Sequence, residues 1–390
     1  IKKVFHSNFL CCSFCMKINH YYNSVRTIQG ENSLAEIPKL VSQNFSSNCR
    51  ILILAWSECV FDIPAIKNLD EEGHLVQKIC FQASNPTVDQ LFDVYCQTKN
   101  FFPQLVIAVG GGSVMDVGKS LCCLYGKEIS TADQLRRIIS DKAYSTPKAR
   151  WIGIPTTAGT GSEVTCWATI WDPVKDVKRS VESQENYAFA AIADSKLLEN
   201  MPLGLAVSSA LDAVAHGVES YWAKHSNLVS RQLALGAVSI IMSHIDDLLD
   251  GDREAFSYMS QGSMLAGMAF SNTKTTACHS ISYPLTMHYQ IPHGAAVSML
   301  LAPVMKVNEP EIEKKELLFQ ALGVGDVREL GERVTDILKK GGFPTALSQW
   351  KVKKEDLDHL ASLGLTKGRA DNNPVDLTPE MIKGILEEIY

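Results

Sequence analysis

The sequence predicts a doubly wound α/β domain followed by an all-helical domain. Residues 51–55 (ILILA) and 105–109 (LVIAV) are continuous apolar runs of strand length, which are typical of parallel strands buried on both faces. Between them, residues 86–99 open with Pro and Thr and then repeat apolar side chains at helical spacing. After Asp194 the strand-like runs vanish, and long Ala-, Leu- and Met-rich helical patterns follow, as in residues 228–249.

The chain length supports two domains, because 390 residues exceed the roughly 250 to 300 at which one hydrophobic core stops growing. We place the α/β domain in residues 16–199 and the helical domain in residues 200–390, since Met201 and Pro202 interrupt the periodicity. Residues 1–15 have a basic start but a broken apolar stretch and no A-x-A cleavage site, which argues against a signal peptide. We interpret them as a non-native or disordered leader.

The composition favours a soluble globular protein that binds small molecules. Hydrophobic residues make up 46% of the chain and charged residues 21%, and the mean hydropathy is −0.01. The net charge of −6 and the absence of a long basic run argue against nucleic acid or an anionic membrane surface as the main partner. No uninterrupted apolar run reaches the roughly 18 to 20 residues needed to span a bilayer.

The 11 cysteines are mostly scattered along the chain. The C-x-x-C spacing from Cys12 to Cys15 has no second pair to complete a metal site. This pattern predicts neither a disulfide framework nor a zinc ribbon. We therefore expect a reducing, cytoplasmic compartment, with most cysteines acting as small buried hydrophobic residues.

Two loops in the α/β part have the composition of phosphate-binding loops. Three glycines, Gly110 to Gly112, and then Ser113 follow the apolar run LVIAV and precede a helical stretch. Glycines let the backbone approach a phosphate, and the positive end of the following helix favours an anion. A second loop, residues 155–163 (PTTAGTGSE), packs hydroxyl groups and glycines into one turn. A tight strand-to-helix turn would also explain three glycines, but two such loops favour a dinucleotide.

A carboxylate and three imidazoles form a candidate metal site. Asp212 and His216 stand four residues apart on a predicted helix, so both point from one face, although a surface interaction is the common alternative at this spacing. His279 and His293 follow, fourteen residues apart. This ligand set suits a divalent transition metal with an open position for a substrate oxygen, and it does not distinguish Fe²⁺ from Zn²⁺.

The chain resembles the iron-containing (group III) alcohol dehydrogenases. The resemblance runs from about Met16 onward and rests on four motifs in the family's order: GGGSVMDVGKS, IPTTAGTGSEVT, SALDAVAHGVES, and the block from His279 to the PHG that contains His293. It implies an N-terminal Rossmann-like NAD(P) domain, a C-terminal helical domain, a catalytic metal in the cleft between them, and alcohol dehydrogenase activity. A homodimer is compatible with this resemblance.

The resemblance also implies site residues. The implied metal ligands are Asp212, His216, His279 and His293, and we expect His279 to be essential for catalysis. The implied cofactor contacts are Gly111, Gly112, Ser113, Asp116, Thr156, Thr157 and, from its place just after WDPVKD, Lys178.

Two positions depart from the family pattern. Many members have a histidine four residues after the third metal ligand, discussed as a proton relay, whereas this chain has Tyr283 there. Either the Tyr283 hydroxyl takes that role or protons reach bulk water by another route. After the first strand, NAD-preferring relatives commonly place an acidic residue for the adenosine ribose, whereas this chain reads Ala55, Trp56, Ser57. The site is therefore compatible with NADP(H). Because Glu58 could supply the missing carboxylate, NAD(H) also stays a possible cofactor.

The segment TKTTACHSISYPLT resembles the phosphonoacetaldehyde reductase branch of the same family. Lys274, Thr275 and Thr276 offer a cation and two hydroxyls that would match an anionic group on the substrate, and Arg369 is a further candidate. Solvated side chains are the alternative for both cations. The resemblance implies reduction of phosphonoacetaldehyde to 2-hydroxyethylphosphonate. The alternatives are a general short-chain alcohol or diol dehydrogenase and a dehydroquinate synthase-like lyase.

Overall fold

The computed structural model describes residues 18–175 and 177–390. Its first part is a parallel sheet with helices on both faces, and its second part is helical, which confirms the predicted fold class. The predicted leader, residues 1–15, lies outside the described residues. The cysteines within the described residues are all unpaired.

The strands are β1 (Arg26–Gln29), β2 (Arg50–Ala55), β3 (Leu75–Cys80), β4 (Leu105–Gly110), β5 (Arg150–Pro155), β6 (Trp167–Asp172), β7 (Val177–Glu182) and β8 (Ala190–Ala193). The helices of the first part are α1 (Ile37–Asn44), α2 (Pro64–Glu71), α3 (Val88–Thr98), α4 (Gly112–Leu124) and α5 (Ala132–Ser140). Those of the second part are α6 (Leu203–Trp222), α7 (Leu228–Leu249), α8 (Ala255–Thr273), α9 (Ala277–Tyr289), α10 (His293–Met299), α11 (Leu301–Asn308), α12 (Lys315–Leu322), α13 (Val327–Lys340), α14 (Leu357–Leu363) and α15 (Pro379–Glu388).

The main sheet has the strand order β1-β8-β5-β4-β2-β3, and all of its strands are parallel. Successive residues of β2 enter different cores: Leu52 and Leu54 pack on the face covered by α3, α4 and α5, whereas Ile51 and Ile53 pack on the face covered by α1 and α2. Both faces of the strand are therefore buried. This explains why the sequence shows a continuous apolar run rather than an alternating one.

The two glycine-containing loops leave neighbouring strands. β4 pairs with β5 in register, with Gly110 opposite Pro155, so both loops begin at the same carboxyl edge of the sheet. α4 begins at Gly112, directly after β4. The predicted helix in residues 86–99 forms as α3, and Thr87 closes its first turn through a capping box with Gln90.

An antiparallel hairpin, β6–β7, lies outside the main sheet and was not predicted. It packs against α4, and its strands contribute Trp167 and Lys178 to the cavity described below. Burial alternates along β6, but Asp172 is among its buried residues and Trp167 and Trp171 are among its partly exposed ones, so hydrophobicity does not alternate with it. β7 has only one buried residue, so neither strand gives a clear period-two signal in the sequence.

The helical part packs α6, α7 and α8 against one another, with α9 and α10 against α6. The predicted division between residues 199 and 200 falls in the connection from β8 to α6 and stays a prediction. Among the described residues, α7 alone is long and apolar enough to cross a membrane by length and composition, with a mean hydropathy of 1.4. Such helices also occur in the cores of soluble proteins, and α7 contributes Ala234, Val238 and Ile241 to the core here.

The two parts meet where the second glycine loop touches α8. Gly161 has φ of +54°, which favours glycine. A Cβ on Gly161 would lie 2.4 Å from Cα of Gly267, and a Cβ on Gly267 would lie 2.6 Å from Cγ2 of Val164. Glycine at both positions therefore allows the loop and the helix to touch through their backbones.

Replacing Gly267 with alanine should lower the stability of the protein. Overpacking of this kind costs about 1–3 kcal/mol, and the backbone of Gly161 cannot rotate away as a side chain would. Gly384→Ala is the matched control, because nothing lies within 4 Å of its Cβ position in α15, and it should raise stability by about 0.5–1 kcal/mol. Denaturant unfolding of both variants measures the difference. Equal effects in the two variants would contradict the close approach.

Candidate active site

A cavity of about 650 Å³ lies between the two glycine loops, the β6–β7 hairpin and the helical part. All the predicted site residues line it except Thr156 and Thr276. The cavity thus joins side chains that are far apart in the sequence. Its position at the carboxyl edge of a parallel sheet is the usual ligand position of an open α/β fold.

The candidate metal ligands converge at one end of this cavity. α6 carries Asp212 and His216 one turn apart, and their ligand atoms together with one from His279 all lie within 4.8 Å of one another. His293 lies outside this tight set, but its Nε2 is 3.9 Å from Oδ1 of Asp212. The structure therefore brings together the four side chains that the sequence suggested, with Asp212 at their centre.

Two atoms of this cluster are buried without any hydrogen-bond partner, Oδ1 of Asp212 and Nε2 of His279. They are 3.4 Å apart. Leaving buried polar atoms unpaired costs free energy, and native proteins rarely do so without a reason. A carboxylate oxygen and imidazole nitrogens are ligands for Fe²⁺ and Zn²⁺, so the donor set fits a divalent metal.

The hydrogen bonds of two imidazoles leave one ring nitrogen free on each. Nδ1 of His216 lies 3.2 Å from the carbonyl oxygen of Gly159, which can only accept, so Nδ1 donates and Nε2 stays free. Nδ1 of His279 hydrogen-bonds in the same way to the carboxylate of Glu219. Metal-binding histidines are usually oriented by such a bond on the other ring nitrogen.

The electrostatics of the cluster favour a positive charge at its centre. Burial by itself would raise the pKa of Asp212, but the neighbouring imidazoles hold that pKa well below its ordinary value. Burial lowers the pKa of His216 to about 4 and that of His293 to about 3. Burial opposes protonation of His279 too, yet Glu219 and Asp212 raise its pKa to about 9. The carboxylates of Asp212 and Glu219 thus stabilise positive charge in the region between them, where His279 lies.

Glu219 was not singled out by the sequence analysis. It is fully buried on α6, three residues after His216 and seven after Asp212, and its carboxylate accepts four hydrogen bonds at the start of α9. Its spacing from the two ligands was the available signal, because positions i, i+4 and i+7 share one face of a helix.

The predicted cofactor contacts other than Lys178 lie on the two glycine loops and in the first half of α4. The Cβ position of Gly111 is 3.4 Å from Oγ1 of Thr157, so the two glycine loops face each other closely. Oγ of Ser113 accepts a hydrogen bond from the backbone of Asn85. Thr156 is the exception: it lies beside the cavity lining and donates its backbone N–H to the carbonyl of Gly110, which ties the loops together.

Asp116 and Lys119 connect α4 to the second loop and to the hairpin. Asp116 accepts hydrogen bonds from Oγ of Ser162 (3.1 Å) and from the backbone N–H of Thr169 (3.0 Å). Lys119 is fully buried and donates to Ser162 (2.7 Å) and Thr165 (2.8 Å). Burial lowers the pKa of Lys119 to about 8. These bonds hold Asp116, Ser162 and Thr165, which line the cavity, in place.

Lys178, the remaining predicted cofactor contact, lies near the metal cluster. Its Nζ is 3.7 Å from the centroid of the Tyr283 ring, and Tyr283 stacks on His293 at a centroid distance of 5.8 Å. The guanidinium carbon of Arg369 lies 5.3 Å from the same Tyr283 ring, and Nε of Arg369 is buried without a partner. Burial and the charge of Arg369 hold the pKa of Lys178 well below its ordinary value.

Two of the predicted substrate contacts, Thr275 and Lys274, have different surroundings. Both Thr275 and Lys274 line the cavity, but Lys274 has a half-exposed side chain and forms an ion pair with Glu182 at 3.0 Å. Lys274 also has φ of 61° and ψ of 179°, a strained conformation for a residue other than glycine. Such strain is common beside functional sites.

Thr276, the third residue of the predicted substrate-binding segment, lies away from the cavity. Thr276 is fully buried and does not line the cavity. Its hydroxyl donates to Glu219 at 2.8 Å and accepts from Nε1 of Trp222 at 2.8 Å. Both hydrogen bonds of Thr276 are therefore made inside the protein, and its substrate contact stays a prediction.

Comparison with known families covers both parts of the chain. Residues 24–195 match the profile of iron-containing alcohol dehydrogenases, and residues 206–390 match the C-terminal profile of the Fe-containing alcohol dehydrogenase family. The chain belongs to the iron-containing alcohol dehydrogenase family. Members use NAD(P) and a divalent metal, which agrees with the two ends of the cavity.

Individual relatives of this iron-containing alcohol dehydrogenase differ in substrate. It is 29% identical over 337 residues to the NADPH-dependent butanol dehydrogenase of Clostridium saccharobutylicum, with 83% of this chain and 86% of the relative covered. It is also 29% identical over 318 residues to the phosphonoacetaldehyde reductase of Streptomyces viridochromogenes, with 77% and 80% covered. The structure of a sulfoacetaldehyde reductase from Bifidobacterium kashiwanohense in complex with NAD⁺ has the same fold, with a TM-score of 0.85 at 24% identity, covering 96% of this chain and 99% of that one.

The buried Glu163 in the second loop should make stability depend on pH. Burial raises its pKa to about 7, so the folded protein binds a proton there that the unfolded chain releases near its ordinary pKa of 4.5. The stabilisation from this proton is complete below about pH 4.5 and is lost as the pH rises through about 7. Glu163→Gln should therefore gain stability relative to the parent between pH 5 and pH 8, by on the order of 1–3 kcal/mol.

Denaturant unfolding at several pH values measures this gain. Glu71→Gln, which changes an exposed glutamate of α2, is the matched control and should follow the parent at every pH. Parallel stability curves for Glu163→Gln and the parent would contradict the prediction.

Proposed function

We propose that this enzyme reduces phosphonoacetaldehyde to 2-hydroxyethylphosphonate with NAD(P)H. The observation that carries the proposal is the pair of basic side chains, Lys178 and Arg369, over the Tyr283 ring beside the metal cluster. An anion bound beside them would favour the protonated form of Lys178. Nε of Arg369 is buried and has no partner, so it is available to an anionic ligand. A guanidinium matches phosphonate oxygens in geometry and charge, whereas butanal has no group to pair with it.

The similarity to the phosphonoacetaldehyde reductase of Streptomyces viridochromogenes supports this substrate. The equal identity to a butanol dehydrogenase makes a general short-chain alcohol dehydrogenase the second candidate. The two candidates share the metal cluster and the glycine loops. They differ in whether the cations contribute to substrate binding.

The proposed metal ligands are Asp212, His216, His279 and His293. When bound, the metal supplies a Lewis acid for the carbonyl oxygen of the aldehyde, and the nicotinamide supplies the hydride. We assign Arg369 and Lys178 to the phosphonate and Thr275 to the wall beside it. These contacts would hold the aldehyde carbon in one orientation, which lowers the entropic part of the barrier.

A proton must reach the product oxygen to balance the hydride. Burial raises the pKa of Tyr283, so its hydroxyl keeps its proton at neutral pH and can donate a hydrogen bond. Tyr283 is therefore the proposed proton donor, with water as the replacement when the hydroxyl is missing.

For the cofactor, we assign the pyrophosphate to the loop of Gly111, Gly112 and Ser113, with Asp116 and Thr157 around it. Thr156 contributes through its backbone. Glu58 is exposed after β2, so no buried carboxylate sits at the position expected to reject a 2′-phosphate, and we expect both NADH and NADPH to be used. A cytoplasmic location agrees with the unpaired cysteines, and a homodimer is the assembly that the family resemblance suggests.

Removing one imidazole should cost more than removing the Tyr283 hydroxyl. His279→Ala should lose bound metal and turnover, because the cluster then lacks one of its three closest ligands. Tyr283→Phe should retain both the metal and measurable activity, since water can supply the proton. Metal analysis and steady-state assays of the two variants test this. A fully active His279→Ala would end the metal assignment.

Arg369→Met should separate the two candidate substrates. Losing a hydrogen bond to a charged group costs about 1.5–3 kcal/mol, so kcat/KM for phosphonoacetaldehyde should fall by roughly 10- to 100-fold. For propanal it should change little. Arg328→Met, which removes an exposed guanidinium of α13, is the matched control.

Assays with NADH and NADPH after loading with Fe²⁺ or Zn²⁺ provide the measurement. Equal efficiency of the parent enzyme on phosphonoacetaldehyde and propanal would reject the phosphonate substrate and favour the general dehydrogenase.

A further inference from the structure

Glu219 connects α6 to the first turn of α9. Its Oε1 accepts from Oγ1 of Thr276 at 2.8 Å and from the backbone N–H of Cys278 at 2.7 Å, and the backbone N–H of His279 lies 3.4 Å away. Oε2 bonds Nδ1 of His279. Glu219 is fully buried, so these bonds replace its hydration. A carboxylate is also favoured at this position because it faces the positive end of α9.

This arrangement determines which nitrogen of His279 is available. A carboxylate without a proton can only accept, so Nδ1 of His279 must donate to Glu219. Nε2 then points toward Oδ1 of Asp212, 3.4 Å away, and has no hydrogen-bond partner. The free nitrogen therefore faces the other candidate ligands.

A second residue of α6, Trp222, is linked to Glu219 through Thr276. Nε1 of Trp222 donates to Oγ1 of Thr276 at 2.8 Å, which leaves the Thr276 proton for Glu219. Trp222 and Glu219 belong to the same helix, so the chain of bonds closes between α6 and α9. Rotation of the His279 ring would break at least one of these buried bonds.

We propose that Glu219 is a positioning residue that holds His279 with its proton on Nδ1 and with Nε2 facing the metal. Its negative charge also makes the imidazole a stronger ligand. With Asp212, Glu219 places two negative charges beside a divalent cation, which balances the charge of the buried site. This inference concerns the metal and does not depend on the identity of the aldehyde.

Glu219→Gln tests the role of the carboxylate at nearly constant shape. An amide has one acceptor oxygen and a donor NH₂ group, so it cannot accept all the bonds that Glu219 accepts. We expect the affinity of the metal-free protein for Zn²⁺, measured by competition with a chelator, to fall about 10- to 100-fold. The visible spectrum of the Co²⁺-loaded variant should shift, because the ligand field at His279 changes.

Asp172→Asn is the matched control for loss of a buried carboxylate. Asp172 has no exposed side-chain surface and pairs with Arg136 and Arg179, away from the metal cluster. This variant should lose stability but keep the Zn²⁺ affinity and the Co²⁺ spectrum of the parent. Equal Zn²⁺ affinities in Glu219→Gln and the parent would overturn the proposal, and so would an equal loss in the two variants.

A second measurement on the parent protein covers the case in which Glu219→Gln does not fold. In the Zn²⁺-loaded protein with ¹⁵N-labelled histidine, NMR should show a proton on Nδ1 of His279 and metal coordination through Nε2. Coordination through Nδ1 would overturn the proposal. Both measurements are made without any aldehyde, so a wrong substrate cannot change their outcome, and this test is separate from that of the proposed function.

Discussion

The cost of burying Asp212 among three imidazoles is the constraint on which the site depends. A buried carboxylate oxygen and a buried ring nitrogen without partners are unfavourable unless a further group satisfies them. The surrounding structure keeps them in place, because α6 carries Asp212 and because bonds to Gly159 and Glu219 anchor His216 and His279. A divalent cation satisfies both atoms at once, which links the stability of the cluster to the chemistry of the family.

The same cluster ties the two parts of the chain together. Gly159 belongs to the second glycine loop, yet its carbonyl orients His216 on α6. The backbone contact between Gly161 and Gly267 lies on that loop too. The loop that lines the cofactor end therefore also positions a ligand at the metal end. A nicotinamide bound against this loop would be held in a fixed position relative to the candidate metal ligands, as hydride transfer requires.

The basic side chains in the cavity have different partners. Lys178 and Arg369 both lie over the Tyr283 ring, whereas Lys274, at a strained helix end, forms an ion pair with Glu182. An anion that enters the cavity could bind Lys178 and Arg369 without breaking an existing ion pair. The cofactor contact that the family resemblance implied for Lys178 stays a prediction, beside its proposed part in substrate binding.

The sequence by itself determined the fold class, both glycine loops and the four candidate ligands. These features depend on local patterns: apolar runs such as residues 51–55, helical spacing, and side chains four residues apart on one helix. Only the tertiary structure decided the antiparallel hairpin, the hydrogen bonds of Glu219 and the burial of Thr276. Each of these depends on contacts between distant segments, as between Glu219 and His279, and no local periodicity records which buried hydroxyl or carboxylate a folded chain will pair.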